Sequence, residues 1–341
     1  MRTFFESLLI VVLASPSAFA ATNKPLAVYF IDVEGGQATL FISPSRQSML
    51  VDTGWPDHNG RDARRILAAV HDAGLHQIDY LVITHYHEDH VGGVPQLAAL
   101  IPIRNFIDHG RPVQTDALTK KLYEAYIKAR SKGHHILARP GMRIPVRGMN
   151  VVVLTAAGSL IGQPLAGGGE QNPYCPAKTQ PAADRSENAQ SVGVLVSDGR
   201  FRLIDLGDLP SWPGEYNLMC PTNRVGQVEV YVTTQHAYAE SGASFLVDAV
   251  QPIVVIADNG AHKGGDPEAL RRVDDLPGLK GFWDLHYAFS ADKKLNTKAP
   301  FIANLAATPD HGYWIKLKAY PTGVFTVINQ RNGMTRNYQP R

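Results

Sequence analysis

The sequence lacks an excess of charge of either sign. Lys and Arg number 33 against 31 Asp and Glu, which gives a formal net charge of +2 over 341 residues. Proteins that attract duplex nucleic acid or anionic membranes usually carry a clear basic excess. The most basic stretch, residues 120–135, is typical of a solvated helix face. We therefore expect no duplex nucleic acid partner, and no feature of the sequence indicates an obligate protein partner.

Long hydrophobic runs are also missing. The longest, "LLIVVLA" at residues 8–14, is too short to span a bilayer. It follows Arg2 and precedes "AFA" at residues 18–20, which is the pattern of a cleaved signal peptide. We expect residues 1–20 to be removed near Ala20. The mature protein is then exported, periplasmic or secreted, with no membrane anchor.

Cysteine is scarce, with two residues in the chain, Cys175 and Cys220. In an oxidising compartment an even pair, each followed by proline in a loop-like stretch, favours a disulfide. The alternative is two unrelated buried thiols. Their spacing matches no zinc knuckle, so we do not expect them to bind metal.

Two common catalytic motifs are absent. No G-x-x-x-x-G-K-[ST] loop is present, and no G-x-S-x-G elbow precedes a helix. These absences argue against a P-loop nucleotidase and against a serine hydrolase.

The chain does contain short apolar strands that alternate with amphipathic helices. "LAVYFIDVEG", "QATLFISP" and "SMLVDTG" predict strands, residues 61–75 have helical spacing, and "IDYLVITH" predicts a buried strand. Residues 159–188 predict a long loop rich in Gly and Pro. "SVGVLVSDGRFRLIDLGD" and "YWIKLKAYPTGVFTVINQ" predict hairpins. The alternation favours layers of helices packed on sheets.

The stretch "THYHEDHVGG", residues 84–93, places three histidines and two acids in six consecutive positions after a buried strand. Such side chains are costly to bury unless something compensates them, and a metal ion commonly does so. The spacing allows His85 and His87 to face one metal while Asp89 and His90 turn towards a second.

H-x-H-x-D-H between an apolar strand and a Gly-Gly helix start resembles the metallo-β-lactamase-fold hydrolases. "VDTG", "ENAQSV", "LIDLGD" and "TTQH" extend the resemblance along most of the chain. Together they most resemble the hydrolase domain of competence (ComEC-type) proteins and its free-standing exported relatives. The resemblance implies a four-layered αβ/βα sandwich over residues 21–290. Residues 291–341 are expected to form a C-terminal extension whose β-hairpin packs on the same domain.

The resemblance also implies the metal ligands. Two zinc ions are expected, held by His85, His87, Asp89, His90, Asp208 and His236. Asp208 would bridge the two ions, and Asp89 would also act catalytically by orienting the nucleophile. The broader family supplies a third histidine to the first site after a strand such as "MNVVVLTAAG", where this chain has Ala156, Ala157 and Gly158.

Four other residues are candidates for the same site. His109, at the end of another predicted strand, could complete the first metal position, contact substrate, or be an ordinary loop histidine. Asn259, His262 and Lys263 follow a buried strand and could bind an anionic group of the substrate. The alternative for this last segment is a helix-capping loop with Asp266 as N-cap and Pro267 at the first helical position.

These expectations point to a metal-dependent hydrolase in which a hydroxide bridging the two zinc ions attacks the substrate. The substrate favoured is a small or single-stranded phosphodiester or a related short anionic ester. Hydrolysis of a lactone, a β-lactam or another carboxylic ester is the first alternative. A non-catalytic metal-binding module is the second.

Overall fold

The computed structural model describes residues 24–177, 183–308 and 311–341. The predicted signal peptide lies outside these residues. The strands, in chain order, are β1 (Leu26–Phe30), β2 (Thr39–Ile42), β3 (Ser48–Val51), β4 (Ile78–Val82), β5 (Ile103–Asp108), β6 (His134–Leu137), β7 (Arg143–Ile144), β8 (Asn150–Ala156), β9 (Ser159–Leu160), β10 (Gly193–Asp198), β11 (Phe201–Asp205), β12 (Val230–Val232), β13 (Val254–Ala257), β14 (Gly281–His286), β15 (Ile302–Asn304), β16 (Ile315–Ala319), β17 (Phe325–Asn329) and β18 (Thr335–Tyr338). The α-helices are α1 (Arg61–Asp72), α2 (Glu88–Val91), α3 (Val94–Leu100), α4 (Ala117–Arg130), α5 (Tyr216–Met219), α6 (Ser244–Val250) and α7 (Pro267–Asp274).

The strands form two large mixed sheets. The first has the order β18-β17-β16-β1-β2-β3-β4-β5-β6, and the second the order β15-β14-β13-β12-β11-β10-β8-β7, with β9 paired to β8. In the first sheet β3, β4, β5 and β6 run parallel, and in the second β11 to β15 run parallel. The loops that follow these parallel strands therefore meet at one edge of the molecule.

Three hydrophobic clusters separate the layers. Along β1, Val28 and Phe30 face a core between the two sheets, whereas Tyr29 faces α1, α3 and α4, as does Ile31 just after the strand. On β14, Trp283 faces the central core and Phe282 faces the cluster formed with α5, α6 and α7. This alternation follows from the two-residue period of a strand buried on both faces. The order helix, sheet, sheet, helix confirms the predicted four-layered sandwich.

The C-terminal hairpin forms part of the first sheet. Strand β16 pairs antiparallel with β1, placing Ile315 opposite Phe30 and Ala319 opposite Leu26. Without it, β1 would be an exposed edge with unpaired backbone groups. The hairpin therefore stabilises the strand that leads into the loop beside the predicted metal ligands.

The predicted disulfide is confirmed, since Cys175 and Cys220 are bonded. It ties the long loop that follows β9 to the end of α5. A single β-bridge between Gln171 and Thr222 joins the same two segments. Residues 178–182 of this loop lie outside the described chain. Among the described residues, no helix is both long and apolar enough to cross a bilayer.

Candidate metal centre

Six side chains meet at the edge where the parallel strands end. The segment after β4, which includes α2, carries four of them, the loop after β11 carries one, and the segment after β12 carries one. Five of the six are nearly or fully buried, and His87 is partly exposed. They are the predicted set His85, His87, Asp89, His90, Asp208 and His236. Residues separated by up to 151 positions are thus brought to one point.

Four donor atoms outline one metal position. Nε2 of His90 lies 3.2 Å from Nε2 of His236. Oδ2 of Asp89 lies 3.3 Å from the His90 nitrogen and 3.1 Å from the His236 nitrogen. Both lie 3.3 Å from Oδ1 of Asp208. A tetrahedral zinc site with bonds of ~2.0–2.1 Å has donor-to-donor edges of about 3.3 Å. The distances from the two imidazole nitrogens to each carboxylate oxygen are close to this value, so these four side chains could together hold one dication.

The second position is built from fewer donors. Nε2 of His85 lies 3.0 Å from Nδ1 of His87 and 3.9 Å from Oδ2 of Asp208. Asp208 therefore offers Oδ1 to one position and Oδ2 to the other, as a bridging carboxylate does. Its Oδ1 is buried and has no hydrogen-bond partner among the described residues. A buried carboxylate oxygen without a donor is costly, and a cation would satisfy it.

Carboxylates hold two of the imidazole rings by their other nitrogen. Nδ1 of His90 lies 2.7 Å from Oδ2 of Asp52, and Nδ1 of His236 lies 3.1 Å from Oδ2 of Asp258. Such contacts fix the tautomer that leaves Nε2 free to bind a metal. Asp52 and Asp258 were not among the site residues predicted from the sequence. Each directly follows an apolar strand, in "LVDTG" and "VIADNG", and that position is the signal that could have found them.

The other two rings are held by uncharged groups. Nδ1 of His85 lies 3.0 Å from Oγ1 of Thr84, which itself donates to Asp52. Nε2 of His87 lies 3.2 Å from Oε1 of Gln114, in the loop before α4. This contact leaves Nδ1 of His87 directed at His85. Nothing in the local sequence marks Gln114, because it follows no strand and lies in an irregular segment.

Buried negative charge dominates the electrostatics of the site. Burial opposes a charge on His90, yet Asp208 and Asp89 raise its pKa well above the ordinary value. Burial also opposes a charge on His236, but carboxylates, Asp208 first among them, raise its pKa to about 9. Burial and the neighbouring His90 hold the pKa of His85 well below the ordinary value. The carboxylates thus need positive charge beside them, and dications suit that need.

Two glycines near the candidate ligands lie against neighbouring backbone, so a larger side chain would not fit at either position. A Cβ on Gly36 would lie 2.3 Å from the carbonyl oxygen of Asp89, and one on Gly264 would lie 2.0 Å from that of His236. His236 itself has a φ of 53°, in the left-handed region that non-glycine residues rarely adopt. Such strain persists where surrounding structure enforces it, often at functional sites. This turn directs the ring of His236 towards His90.

Lys263 also reaches the metal ligands. Its ammonium group donates to Oδ2 of Asp89 and, at 2.7 Å, to the carbonyl oxygen of Gly35. It lies 5.3 Å from the ring centre of Trp55 and 5.9 Å from that of Tyr238. About a quarter (26%) of its side chain is exposed, so the ammonium is also accessible from solvent.

The other three candidates are engaged elsewhere. His109 is buried, and its Nε2 lies 2.8 Å from Oε1 of Glu187. Asn259 is buried and donates to the carbonyl oxygen of His286. The exposed His262 lies 3.1 Å from the carbonyl oxygen of Ala307. None of these contacts involves the six ligands. Asp266 and Pro267 precede and open α7, as the capping alternative predicts, although no side-chain cap bond forms.

The fold and the donor set make this a candidate site for divalent metal ions. Residues 32–232 match the family model described as the metallo-beta-lactamase superfamily. The match spans more than half of the chain, and the chain therefore belongs to this superfamily. This membership confirms the predicted fold family and the predicted class of enzyme, a metal-dependent hydrolase.

The chain is distantly similar to a hydrolase and to several solved structures. A hydroxyacylglutathione hydrolase of Stenotrophomonas maltophilia (strain R551-3) is 32% identical over 105 residues, which are 30% of this chain and 37% of that protein. The chain thus matches little more than a third of that relative's length. Solved structures with a similar fold include the metallo-β-lactamase fold protein YhfI from Bacillus subtilis, at 12% identity and a TM-score of 0.48, covering 77% of this chain and 96% of that one. Another is the diiron β-hydroxylase CmlA from Streptomyces venezuelae, at 14% identity and a TM-score of 0.41, covering 69% of this chain and 45% of that one.

Proposed function

We propose that the protein is an exported dinuclear-zinc hydrolase of small or single-stranded phosphodiesters or related anionic esters. We propose further that it is related to the free-standing exported hydrolases of the competence (ComEC) type. The observation that carries the substrate class is the position of Lys263. Its ammonium, partly exposed, lies against Asp89 at the edge of the ligand set. An anionic group that enters the site would meet this charge.

The donor geometry suggests how the ions would be held. His85, His87 and Asp208 would bind one ion. The other ion would be bound by Asp89, His90, His236 and, again, Asp208. Bound zinc would supply Lewis acidity and lower the pKa of water at the site. Asp52 and Asp258 keep the rings of His90 and His236 oriented, so the site is preorganised before substrate arrives.

Other residues would act on water and substrate. Asp89, whose carboxylate lies at the edge shared with Lys263, would orient the attacking water. Lys263 would bind a non-bridging oxygen of the substrate and offset its charge. The ring of Trp55 beside the ammonium keeps that side chain in place.

The charge around the site argues for a small or flexible substrate. A protein that binds duplex DNA must neutralise several phosphates with Lys and Arg. Glu88 precedes Asp89 in the chain, and Lys263 itself donates to Asp89, so this surface is not uniformly basic. A single anionic group fits these surroundings better than a row of phosphates does.

A carboxylic-ester-type substrate, including a thioester, lactone or β-lactam, is the second candidate. The observation that favours it is the 32% identity with a hydroxyacylglutathione hydrolase over 105 residues. The two candidates share the metal ligands and differ in the electrophile. They are therefore separated by substrate and not by the metal site.

The test is a substrate panel with zinc-loaded mature protein. The panel contains a dinucleotide, bis(p-nitrophenyl) phosphate, a glutathione thioester, a γ-lactone, a cephalosporin and linear duplex DNA. We expect turnover of the first two, little cleavage of duplex DNA, and no turnover by His87→Ala. Thioester or lactone turnover exceeding that of both phosphodiesters by 100-fold would transfer the proposal to the second candidate.

The role of Lys263 has its own measurement. Lys263→Ala should raise KM for the anionic substrate more than it lowers kcat, because it removes binding of ground state and transition state alike. Lys298→Ala, at an exposed position, is the matched control and should change neither constant. An unchanged KM in Lys263→Ala would contradict the substrate class.

A further inference from the structure

A second pocket lies away from the metal ligands, between α1 and the start of β16. Its volume is about 430 Å³. One wall is a face of α1, where three arginines follow the i, i+3, i+4 spacing that places side chains on the same side of a helix. The other wall is the segment that leads into β16. The residues that line the pocket include Arg61, Arg64, Arg65, His311, Tyr313 and Trp314.

Two of the three guanidinium groups are neutralised by buried acids. Arg65 lies 2.7 Å from Oδ2 of Asp32 and 2.9 Å from Oε1 of Glu34. Arg61 donates from Nε and Nη2 to the carboxylate of Asp62. Both ion pairs fix the guanidinium planes at the pocket wall. The acidic groups beside the pocket on the side of α1 are therefore already paired with arginines.

Arg64 supplies the charge that these acids do not balance. It is exposed, it donates from Nη1 to the backbone carbonyl of Asn59, and it has no carboxylate partner within the described part of the chain. Its Nε and Nη2, together with Nη1 of Arg61, have no acceptor among the described residues. Unsatisfied guanidinium donors on a concave wall are suited to bidentate binding of a phosphate or carboxylate.

The opposite wall is aromatic. Tyr313 and Trp314 are partly exposed, and the ring of His311 lies 5.4 Å from that of Tyr313. The indole of Trp314 is held edge-on against Tyr29 at 5.7 Å. Fixed aromatic rings beside a cationic wall can stack on a planar ring of a ligand.

We propose that this pocket binds a small anion joined to a planar aromatic ring, for which a nucleoside monophosphate is the simplest probe. The guanidinium edges of Arg61 and Arg64 take the phosphate, and Tyr313 and Trp314 take the ring. The volume lies within the range of small-molecule sites, about 300–1,000 Å³. None of the six metal ligands lines the pocket, so this site is separate from the one proposed for hydrolysis.

The test uses zinc-loaded protein titrated with AMP, adenosine and inorganic phosphate, followed by calorimetry and by tryptophan fluorescence. We expect saturable AMP binding that is at least tenfold tighter than binding of adenosine or phosphate, because each of these lacks one half of the ligand. Equal affinity for phosphate would show a simple anion site. No saturable AMP binding up to millimolar concentration would overturn the proposal.

Variants locate the bound ligand. Arg64→Ala and Tyr313→Ala should each weaken AMP binding about tenfold or more, whereas Arg139→Ala, an exposed arginine outside the pocket, should leave it unchanged. Trp314→Phe should keep most of the affinity and lose the fluorescence response. Binding that survives Arg64→Ala but disappears in His87→Ala would place AMP at the metal centre and refute the proposal. Because no turnover is measured, failure of the proposed hydrolytic function would leave this test intact.

Discussion

Asp284 offers a quantitative test of the electrostatics of this fold. The residue lies on β14, faces the same side of the sheet as Phe282, and is only 1% exposed. Neither carboxylate oxygen has a hydrogen-bond partner among the described residues. Burial raises the pKa of Asp284 to about 8, although the peptide group of Thr297 offsets part of the shift. The folded protein therefore keeps this group neutral at pH 7.

The sign of the effect follows from proton linkage. An aspartate in the unfolded chain has a pKa of about 3.9. Between pH ~4 and ~8 the unfolded state releases a proton that the folded state retains, so the free energy of unfolding falls by about 1.4 kcal/mol per pH unit. The stability present below pH ~4 is thus lost progressively, by roughly 5 kcal/mol at pH 8.

The perturbation is Asp284→Asn, which is neutral at every pH. We expect the difference in free energy of unfolding between this variant and the wild type to grow in favour of the variant by about 2 kcal/mol from pH 6 to pH 8. A cost of burying the introduced amide that does not depend on pH cancels, because only the change of the free-energy difference between the two pH values is used. Guanidinium denaturation at both pH values, with zinc present throughout, measures it.

A matched carboxylate identifies the source of the slope. Asp292→Asn, at an exposed position, should give a difference that does not change between the two pH values. If Asp284→Asn also gave a difference constant to within 1 kcal/mol, Asp284 would be ionised in the folded protein or solvated there, and the reasoning would be refuted.

Three further predictions concern the metal centre and the disulfide. Asp208→Ala should lower the zinc content from close to two ions per chain towards none, because its two oxygens face both positions; elemental analysis that still finds two ions would contradict the bridging role. Asp258→Asn should weaken zinc binding by roughly 10–100-fold in a competitive chelator titration, since it removes the carboxylate that orients His236, and an unchanged affinity would show that the contact is dispensable. Cys175→Ser should lower the free energy of unfolding by about 4 kcal/mol, because the Cys175–Cys220 bond joins residues 45 positions apart; a loss below 1 kcal/mol would contradict the stabilising role.

The local parts of this protein were predictable from its sequence. The period of apolar residues predicted α1 and β4, and the turn residues predicted the β10–β11 and β16–β17 hairpins. The strand β14 was missed, because a short strand that contains a buried Asp284 and His286 lacks the apolar pattern on which such predictions depend. Its pairing with β13 and β15 makes it a strand, and pairing is not a local property.

The amino-acid sequence by itself was enough to predict the candidate metal-binding loop. Three histidines and two acidic residues lie within "HYHEDH", and so dense a cluster of potential metal ligands can be recognised without a structure. The same holds for Asp208 and His236, which follow β11 and β12 by three and four positions. A residue at the end of a buried strand has few places to go except the edge of the sheet.

Only the tertiary structure decided which groups hold these ligands in place. Asp52 lies 38 residues from His90, Asp258 lies 22 residues from His236, and Lys263 lies 174 residues from Asp89. Each pairing depends on the order of strands in a sheet and on how the two sheets pack. The interaction energy of a buried pair is set by distance and desolvation, and neither quantity exists until the chain has folded.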